Sequence, residues 1–250
     1  MAMGARMPMN MAIPHMTTRM SMITTTAMVI ATITAMRIDA KLLTLTQWLS
    51  PAYPVGAFAY SHGLEQAVRA GWISDPESLL HWLQDLTRHG SGRSDAIWIR
   101  LAHAAETPAA LAELNTQCRA FAPAIERQRE ADRQGRAFAK VTADVWSLPL
   151  PAMQLPIALG AAAKAETLDI DSVITLYLQS FLSNLVAAAQ RLMPLGQTDA
   201  QRILAELNQT CLEVAQSSDG AALDDIASSA FLSDIAAMRH ETLEPRIFQS

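Results

Sequence analysis

The stretch IDSVITLYLQSFLSNLVAAAQ, from Ile170 to Gln190, decides the fold class of this chain. Its apolar side chains recur at the i, i+3, i+4 and i+7 spacing of one helix face without a miss. They are Ile170, Val173, Ile174, Tyr177, Leu178, Phe181, Leu182, Leu185, Val186 and Ala189. Because no ionised residue occurs between Asp171 and Arg191, we expect a long helix whose second face is also covered, either by the same bundle or by a partner.

Neutral polar residues on this helix speak against a lipid environment. They are Gln179, Ser180, Ser183, Asn184 and Gln190. The apolar stripe is wide enough to serve the bundle, which leaves a neutral polar side that could meet a second copy. We therefore expect a homodimer, with its interface at Leu176, Tyr177, Ser180 and Asn184.

Helical patterns also fill the rest of the chain from residue 38 onward. Ser74 and Glu77 have capping-box spacing, with Pro76 in the first turn of the helix that follows. The segment ERQREADRQGRAFAK, residues 126–140, is interpreted as a solvated charged face, with a docking surface as the alternative. About ten helices and no strand signal predict one all-α, bundle-like domain over residues 38–250.

The first 37 residues differ in composition from the rest. Ten of the 13 methionines fall in residues 1–36, and the segment carries three arginines and no acid. It has no sustained helical period, so we expect a dispensable, disordered extension, or a translation start placed too early, with Met36 directly before the first helix. A transit peptide and a soft-metal-binding segment are the alternatives; a signal peptide and a membrane helix do not fit.

Charge and cysteine content exclude some classes of protein. Beyond residue 37 the chain has 16 basic against 24 acidic residues, and such an acidic body disfavours nucleic acid. The two cysteines, Cys118 and Cys211, lie far apart in separate helical patterns, which indicates a reduced, cytoplasmic chain.

Motifs of catalysis are absent from the sequence. It contains no phosphate-binding loop, dinucleotide fingerprint, HExxH or GxSxG. Ser61 and His62 are adjacent, but neighbouring residues on a helix point in different directions, so they are a weak nucleophile and base pair. His240 beside Glu241 is only a weak nickel candidate. We assign no catalytic residue, no confident metal ligand and no cofactor.

Two segments stand out instead as surfaces for protein contact. In SPAYPVGAFAYSHGLE the prolines fix extended geometry, the glycines permit close backbone approach, and Tyr53, Phe58 and Tyr60 are candidate anchors. A simple helix-connecting turn is the alternative. In RHETLEPRIFQS, Ile247 and Phe248 are expected to be exposed beside Arg246 unless they dock onto something.

Three segments, in the right order, resemble the urease accessory protein UreF family. They are SPAYPVGAFAYSHGLE (Ser50–Glu65), FLSNLVAAAQRLMPLGQTDAQRIL (Phe181–Leu204) and MRHETLEPRIFQS (Met238–Ser250), and the helix with the pattern ExxRxxDRQG adds a fourth. The positions that we carry over as partner-binding are Tyr53, Pro54, Gly56, Phe58, Tyr60, Ser61, His62, Gly63, Glu65, Arg239, His240, Glu241, Arg246, Phe248 and Ser250. Glu244 replaces a common tyrosine of the family and precedes Pro245, so the packing of this segment is open.

The resemblance implies an all-helical, non-catalytic protein. Members of the family join UreD (also called UreH) and the GTPase UreG in a complex that loads nickel into apo-urease. A nickel-binding metallochaperone is the second hypothesis, and a helical hydrolase that loses turnover on Ser61→Ala is the third. Whether nickel touches this chain, and which nucleotide state of UreG it prefers, are left open by the sequence.

Overall fold

Ten α-helices and two short 3-10 turns, with no strand, make up residues 39–250, the part of the chain that the computed structural model describes. The helices are α1 (Ala40–Trp48), α2 (Leu64–Arg69), α3 (Pro76–His89), α4 (Ser91–Ala104), α5 (Pro108–Phe121), α6 (Ile125–Trp146), α7 (Leu155–Ala165), α8 (Ile170–Leu192), α9 (Gln197–Ser217) and α10 (Phe231–His240). The predicted all-α class and number of helices are confirmed. The predictions for residues 1–37 lie outside the described range and stay predictions.

Helix α8 is the central helix that the opening stretch predicts. It packs along α9 and also contacts α1, α2, α4 and α7. It is the one described helix that is long and apolar enough to cross a membrane, and half of its most apolar window is buried inside the fold. That burial is what a core helix of a bundle requires, since its apolar stripe faces other helices.

The start of α3 differs by one residue from the sequence prediction. Asp75, not Ser74, is the N-cap: its carboxylate accepts a hydrogen bond from the Ser78 backbone N–H at 2.8 Å. The Ser78 hydroxyl in turn accepts from the Asp75 N–H at 3.1 Å, which completes a capping box. Pro76 occupies the first turn as predicted, so the shift reflects Asp75, an equally good cap with extended backbone just before the proline.

Helix α6 is only in part the solvated face that its charges suggested. Glu126, Glu130 and Gln134 are each only 7–8% exposed. A Cβ on Gly135 would lie 2.0 Å from the Met153 carbonyl oxygen, so a glycine is needed where the α6–α7 connection crosses the helix. The charged side of α6 is therefore divided between a buried flank and an outward face.

Candidate interaction site

The segment between α1 and α2, residues 49–63, is called the signature loop below. Two of its three aromatic residues belong to the core. Tyr53 is 6% exposed; its hydroxyl lies 3.0 Å from the Thr142 hydroxyl, and its ring packs 5.7 Å from that of Phe138. Tyr60 is also 6% exposed, whereas Phe58, on a 3-10 turn, is 74% exposed. The prediction of three docking anchors is therefore corrected to one, because Tyr53 and Tyr60 fix the loop to the bundle.

Glycines let the signature loop approach its neighbours closely. Gly56 and Gly63 both have positive φ, of 75° and 77°. A Cβ on Gly63 would lie 2.8 Å from the backbone nitrogen of Ala237, so this glycine brings the start of α2 against α10. Pro54 lies on the surface of the loop. The loop is thus a shaped segment held between α1, α6 and α10.

Residues 241–250, called the tail below, bind along the signature loop. The backbone N–H of Ser61 donates to the Ser250 carbonyl at 2.9 Å, and the N–H of Gln249 donates to the Ala59 carbonyl at the same distance. The Ser61 hydroxyl donates to the Ser250 carbonyl at 2.5 Å. The two segments that the sequence singles out are therefore one structural unit.

Glu65 of α2 receives the tail backbone. Its carboxylate accepts hydrogen bonds from the N–H groups of Ile247 at 2.8 Å and Phe248 at 2.9 Å. One of its oxygens lies 3.4 Å from His240 Nε2, and the glutamate is 7% exposed. Such a carboxylate satisfies two backbone donors that the fold removes from water.

His240, at the end of α10, lies between two carboxylates. Its Nδ1 is 2.7 Å from Glu126 of α6, its Nε2 faces Glu65, and its side chain is fully buried. Only the imidazolium form can donate to both glutamates. Glu126 also pairs with Arg246, so α2, α6, α10 and the tail meet at this cluster.

The two apolar residues of the tail differ in their exposure to solvent. Phe248 is 2% exposed, and the Arg191 guanidinium lies 4.3 Å from its ring centroid, while Ile247 is 58% exposed. The Ser250 hydroxyl donates to Glu130 at 2.6 Å. The two residues were expected to be exposed unless they dock onto something; Phe248 docks onto its own chain, and Ile247 stays exposed.

The remaining residues of the tail motif contact the edge of the cluster. Arg239 lies over the Trp72 ring at 5.7 Å, and Glu241 accepts from the Ile125 backbone N–H at 2.8 Å. The peptide bond before Pro245 is cis. The Arg69 guanidinium donates to the carbonyl groups of Glu244 and Pro245 at 3.0 and 3.2 Å, so both residues are held at α2.

Sequence reasoning missed Glu126 and Glu130 as parts of this site, since their charge suggested solvent. A signal was present in the helical phase: Glu130, Gln134 and Phe138 are spaced four residues apart and share one face with the core. A carboxylate in line with a core phenylalanine has to find a partner inside the protein. The partner itself, the tail, lies 120 residues further along the chain.

The polar side of α8, predicted to meet a second copy, contacts the signature loop. The Ser180 hydroxyl donates to the Leu49 carbonyl at 2.7 Å, and the Asn184 amide donates to the Ala57 carbonyl at 2.9 Å. Leu176 is partly buried against the core. The loop therefore uses hydrogen-bonding groups that the sequence assigned to a dimer, and the dimer stays a prediction.

Tyr177, the fourth residue predicted at the dimer interface, is buried beside a cavity of about 280 Å³. Its hydroxyl donates to Asp95 at 2.6 Å, and Arg127 lines the same cavity. Burial raises the pKa of Asp95 to about 6 and lowers the pKa of Arg127 to about 10. Burial and the Asp95 carboxylate raise the pKa of the Tyr177 hydroxyl. The cavity is thus an interior polar site with unlike charges.

Ser61 and His62 do not form a catalytic pair. The Ser61 hydroxyl is bonded to the tail, whereas His62 Nε2 lies 2.7 Å from the Ser91 hydroxyl. His62 Nδ1 is buried without a hydrogen-bond partner among the described residues, so no acid orients the ring. Burial lowers the pKa of His62 well below its usual value. Within residues 39–250 there is also no group of three or more His, Cys, Asp or Glu placed to hold a metal ion.

These observations define an all-α protein whose buried polar groups mainly fix one chain segment against another. A family model described as UreF matches residues 73–208. Urease accessory protein UreF of Cereibacter sphaeroides is 49% identical over 212 residues, which is 85% of this chain and 100% of the relative. The protein of that name from Ruegeria pomeroyi is 43% identical over 212 residues, 85% of this chain and 98% of the relative. This chain belongs to the UreF family of urease accessory proteins, and its role lies in urease maturation.

Proposed function

We propose that this chain is a non-enzymatic scaffold that joins UreD (UreH) and the GTPase UreG in a complex that inserts nickel into apo-urease. The observation that carries the proposal is the joined signature loop and tail, two family motifs that build one surface. Phe58, Arg246 and Ile247 remain exposed or partly exposed around it, at 74%, 41% and 58%. Exposed aromatic, arginine and aliphatic side chains on a rigid base are typical of an interface centre.

A second surface is apolar and lies on α10. Four large side chains, at i, i+1, i+4 and i+7 of one helix, are 38–68% exposed: Phe231, Leu232, Ile235 and Met238. A contiguous apolar helix face of this kind marks protein contact. We assign it to UreD, because permanent interfaces are the more apolar ones. The polar loop and tail surface is assigned to UreG, whose contacts have to be made and broken.

The scaffold acts in the cytoplasm and as a homodimer in this proposal. Cys118 and Cys211 are both unpaired and buried, which suits a reducing compartment. A metallochaperone that itself carries nickel is the alternative. Mass measurement of the protein with and without nickel separates the two, since retained stoichiometric metal favours the carrier.

Co-purification tests the scaffold directly. The full chain should recover UreD and UreG together, and Ile247→Asp or Phe58→Asp should lose UreG while UreD is retained. Ile235→Asp combined with Met238→Asp should lose UreD. Leu212→Asp, at a side chain 46% exposed on α9, is the matched control and should retain both.

Nickel content of urease gives the functional readout of the same experiment. Cells with Ile247→Asp should contain urease with little nickel and low activity, and the control variant should restore both. Recovery of UreG by Ile247→Asp and Phe58→Asp at the level of the unaltered chain would contradict the assignment of this surface. Failure of the unaltered chain to recover either partner would contradict the scaffold itself.

A further inference from the structure

Four cations form a straight line on the outward face of α6. Arg129, Arg133, Arg136 and Lys140 are all exposed and follow each other at intervals of four, three and four residues. That spacing keeps them within one narrow strip of the helix, opposite the buried Phe138. The strip, called the basic stripe below, is about 17 Å long at 1.5 Å per residue.

The basic stripe lacks acidic partners within the described part of the chain. Several other surface cations do have acidic partners, as in Arg88 with Glu213 at 3.0 Å and Arg119 with Asp132 at 2.5 Å. None of the four stripe residues forms a salt bridge in residues 39–250. Within residues 39–250, the four cations of the stripe are thus left without a salt bridge in a chain that has 24 acidic residues.

Hydrogen bonds place the stripe beside the loop and tail surface. The Arg133 guanidinium donates to the side-chain oxygen of Gln249 at 2.7 Å, and Gln249 is bonded to Ala59. Arg191 donates to the Phe58 carbonyl at 3.3 Å on the other side of the tail. Stripe, tail and Phe58 therefore form one continuous band, with exposed apolar groups next to the cations.

We propose that the basic stripe binds an acidic surface of the GTPase partner, while Phe58 and Ile247 supply the apolar contact beside it. This inference rests on the function proposed above. Arginine guanidinium groups bind carboxylates through two parallel hydrogen bonds, and a line of them selects a partner with carboxylates at matching spacing. The exposed Asp144 and the partly exposed Asp132 flank the stripe on the same helix and would repel the phosphates of a nucleic acid. The acidic partner is therefore a protein.

Charge reversal at three positions tests the stripe. The variant R129E/R136E/K140E leaves Arg133 and its contact with the tail in place. The matched control K41E/K164E/R202E makes the same change in net charge at exposed positions on α1, α7 and α9. The neutral variant R129Q/R136Q/K140Q provides a second test should charge reversal disturb the fold, and circular dichroism checks each protein.

Binding of purified UreG to the full chain in complex with UreD is then measured at low and high salt. We expect R129E/R136E/K140E to bind at least tenfold more weakly at low salt, with a flatter dependence of affinity on salt, and the control to bind as the unaltered chain does. R129Q/R136Q/K140Q should show the same loss to a smaller degree.

The stripe variants could bind UreG with the same affinity and the same salt dependence as the unaltered chain. That result would contradict the role of the basic stripe but not the proposed scaffold function. The unaltered chain could instead bind a duplex DNA more tightly than UreG, and the stripe variants could lose that binding. That result would contradict a protein partner and indicate a nucleic acid. Absence of UreG binding by the unaltered chain would overturn the proposed function and the stripe with it.

Discussion

Ile247 and Phe248 are neighbours in the sequence but have opposite roles in the structure. Phe248 is buried against Arg191, and Ile247 is 58% exposed. We predict that Phe248→Ala lowers the free energy of unfolding by about 3 kcal/mol, the low end for a buried phenylalanine. Ile247→Ala should change it by less than about 0.5 kcal/mol. Urea unfolding of the two variants measures both, and equal effects would show that the tail is not held as described.

Asp95 should make stability depend on pH in an unusual direction. Burial raises its pKa from 3.8 to about 6, so between these values the folded state holds a proton that the unfolded state has lost. Stability from this group is therefore complete below pH 4 and decreases as the pH rises through 6, by up to about 3 kcal/mol. Asp95→Asn should remove that decrease in urea unfolding between pH 4.5 and 7.5.

The control for Asp95 is Asp85→Asn, at an exposed aspartate of α3. It should leave the pH dependence of the unaltered protein in place. A protein with Asp95→Asn that shows the same decrease of stability would assign the effect to another group, since Asp234, whose pKa burial also raises, lines the same cavity.

Helices were the most predictable elements of the molecule. The apolar period predicted α8 within two residues of its ends, because burial of that stripe is the strongest local requirement. The cap of α3 was missed by one residue, since Ser74 and Asp75 are both good N-caps. The buried flank of α6 was misinterpreted, since a period shows which residues share a face and not what covers it.

Helix α8 carries the prediction of a homodimer. Leu176→Asp should give a folded monomer by light scattering, because the side chain is partly buried and a charge there opposes contact with a second copy. Ser180→Asp should also weaken the signature loop, since an aspartate cannot donate to the Leu49 carbonyl. Leu212→Asp serves as the control. A dimer that persists in both α8 variants would contradict the interface.

At the scale of the whole molecule, the tail stabilises the bundle by packing against the signature loop, α2 and α6. Deletion of residues 246–250 should lower the melting temperature by roughly 10 °C, since it removes Phe248 and leaves Glu65 without two of its donors. The same deletion should abolish recovery of UreG in the complex with UreD. Thermal melting and co-purification of one truncated protein measure both effects.

Residues that act together across the whole molecule were only partly predictable. Family resemblance marked Ser61, Glu65 and His240, but nothing local joined them to each other or to Glu126. These residues come together only because of how the helices pack. A single sequence shows the helical period of each segment but not which segments pack against each other. The amide and hydroxyl groups of α8 were likewise assigned to a second copy, although the chain itself supplies their acceptors.

The pairing of Ser61 with Ser250 joins positions 189 residues apart. The ribosome makes the signature loop early and the tail after the ten helices of residues 39–250. During synthesis Glu65, Glu126 and Glu130 therefore lack their tail partners. Closing so long a loop is slow and entropically costly, and we expect it to be the last step of folding. A nascent chain, or one that lacks residues 246–250, would therefore lack the surface that we assign to UreG. We therefore expect incomplete copies to be left out of urease maturation without a separate step that removes them.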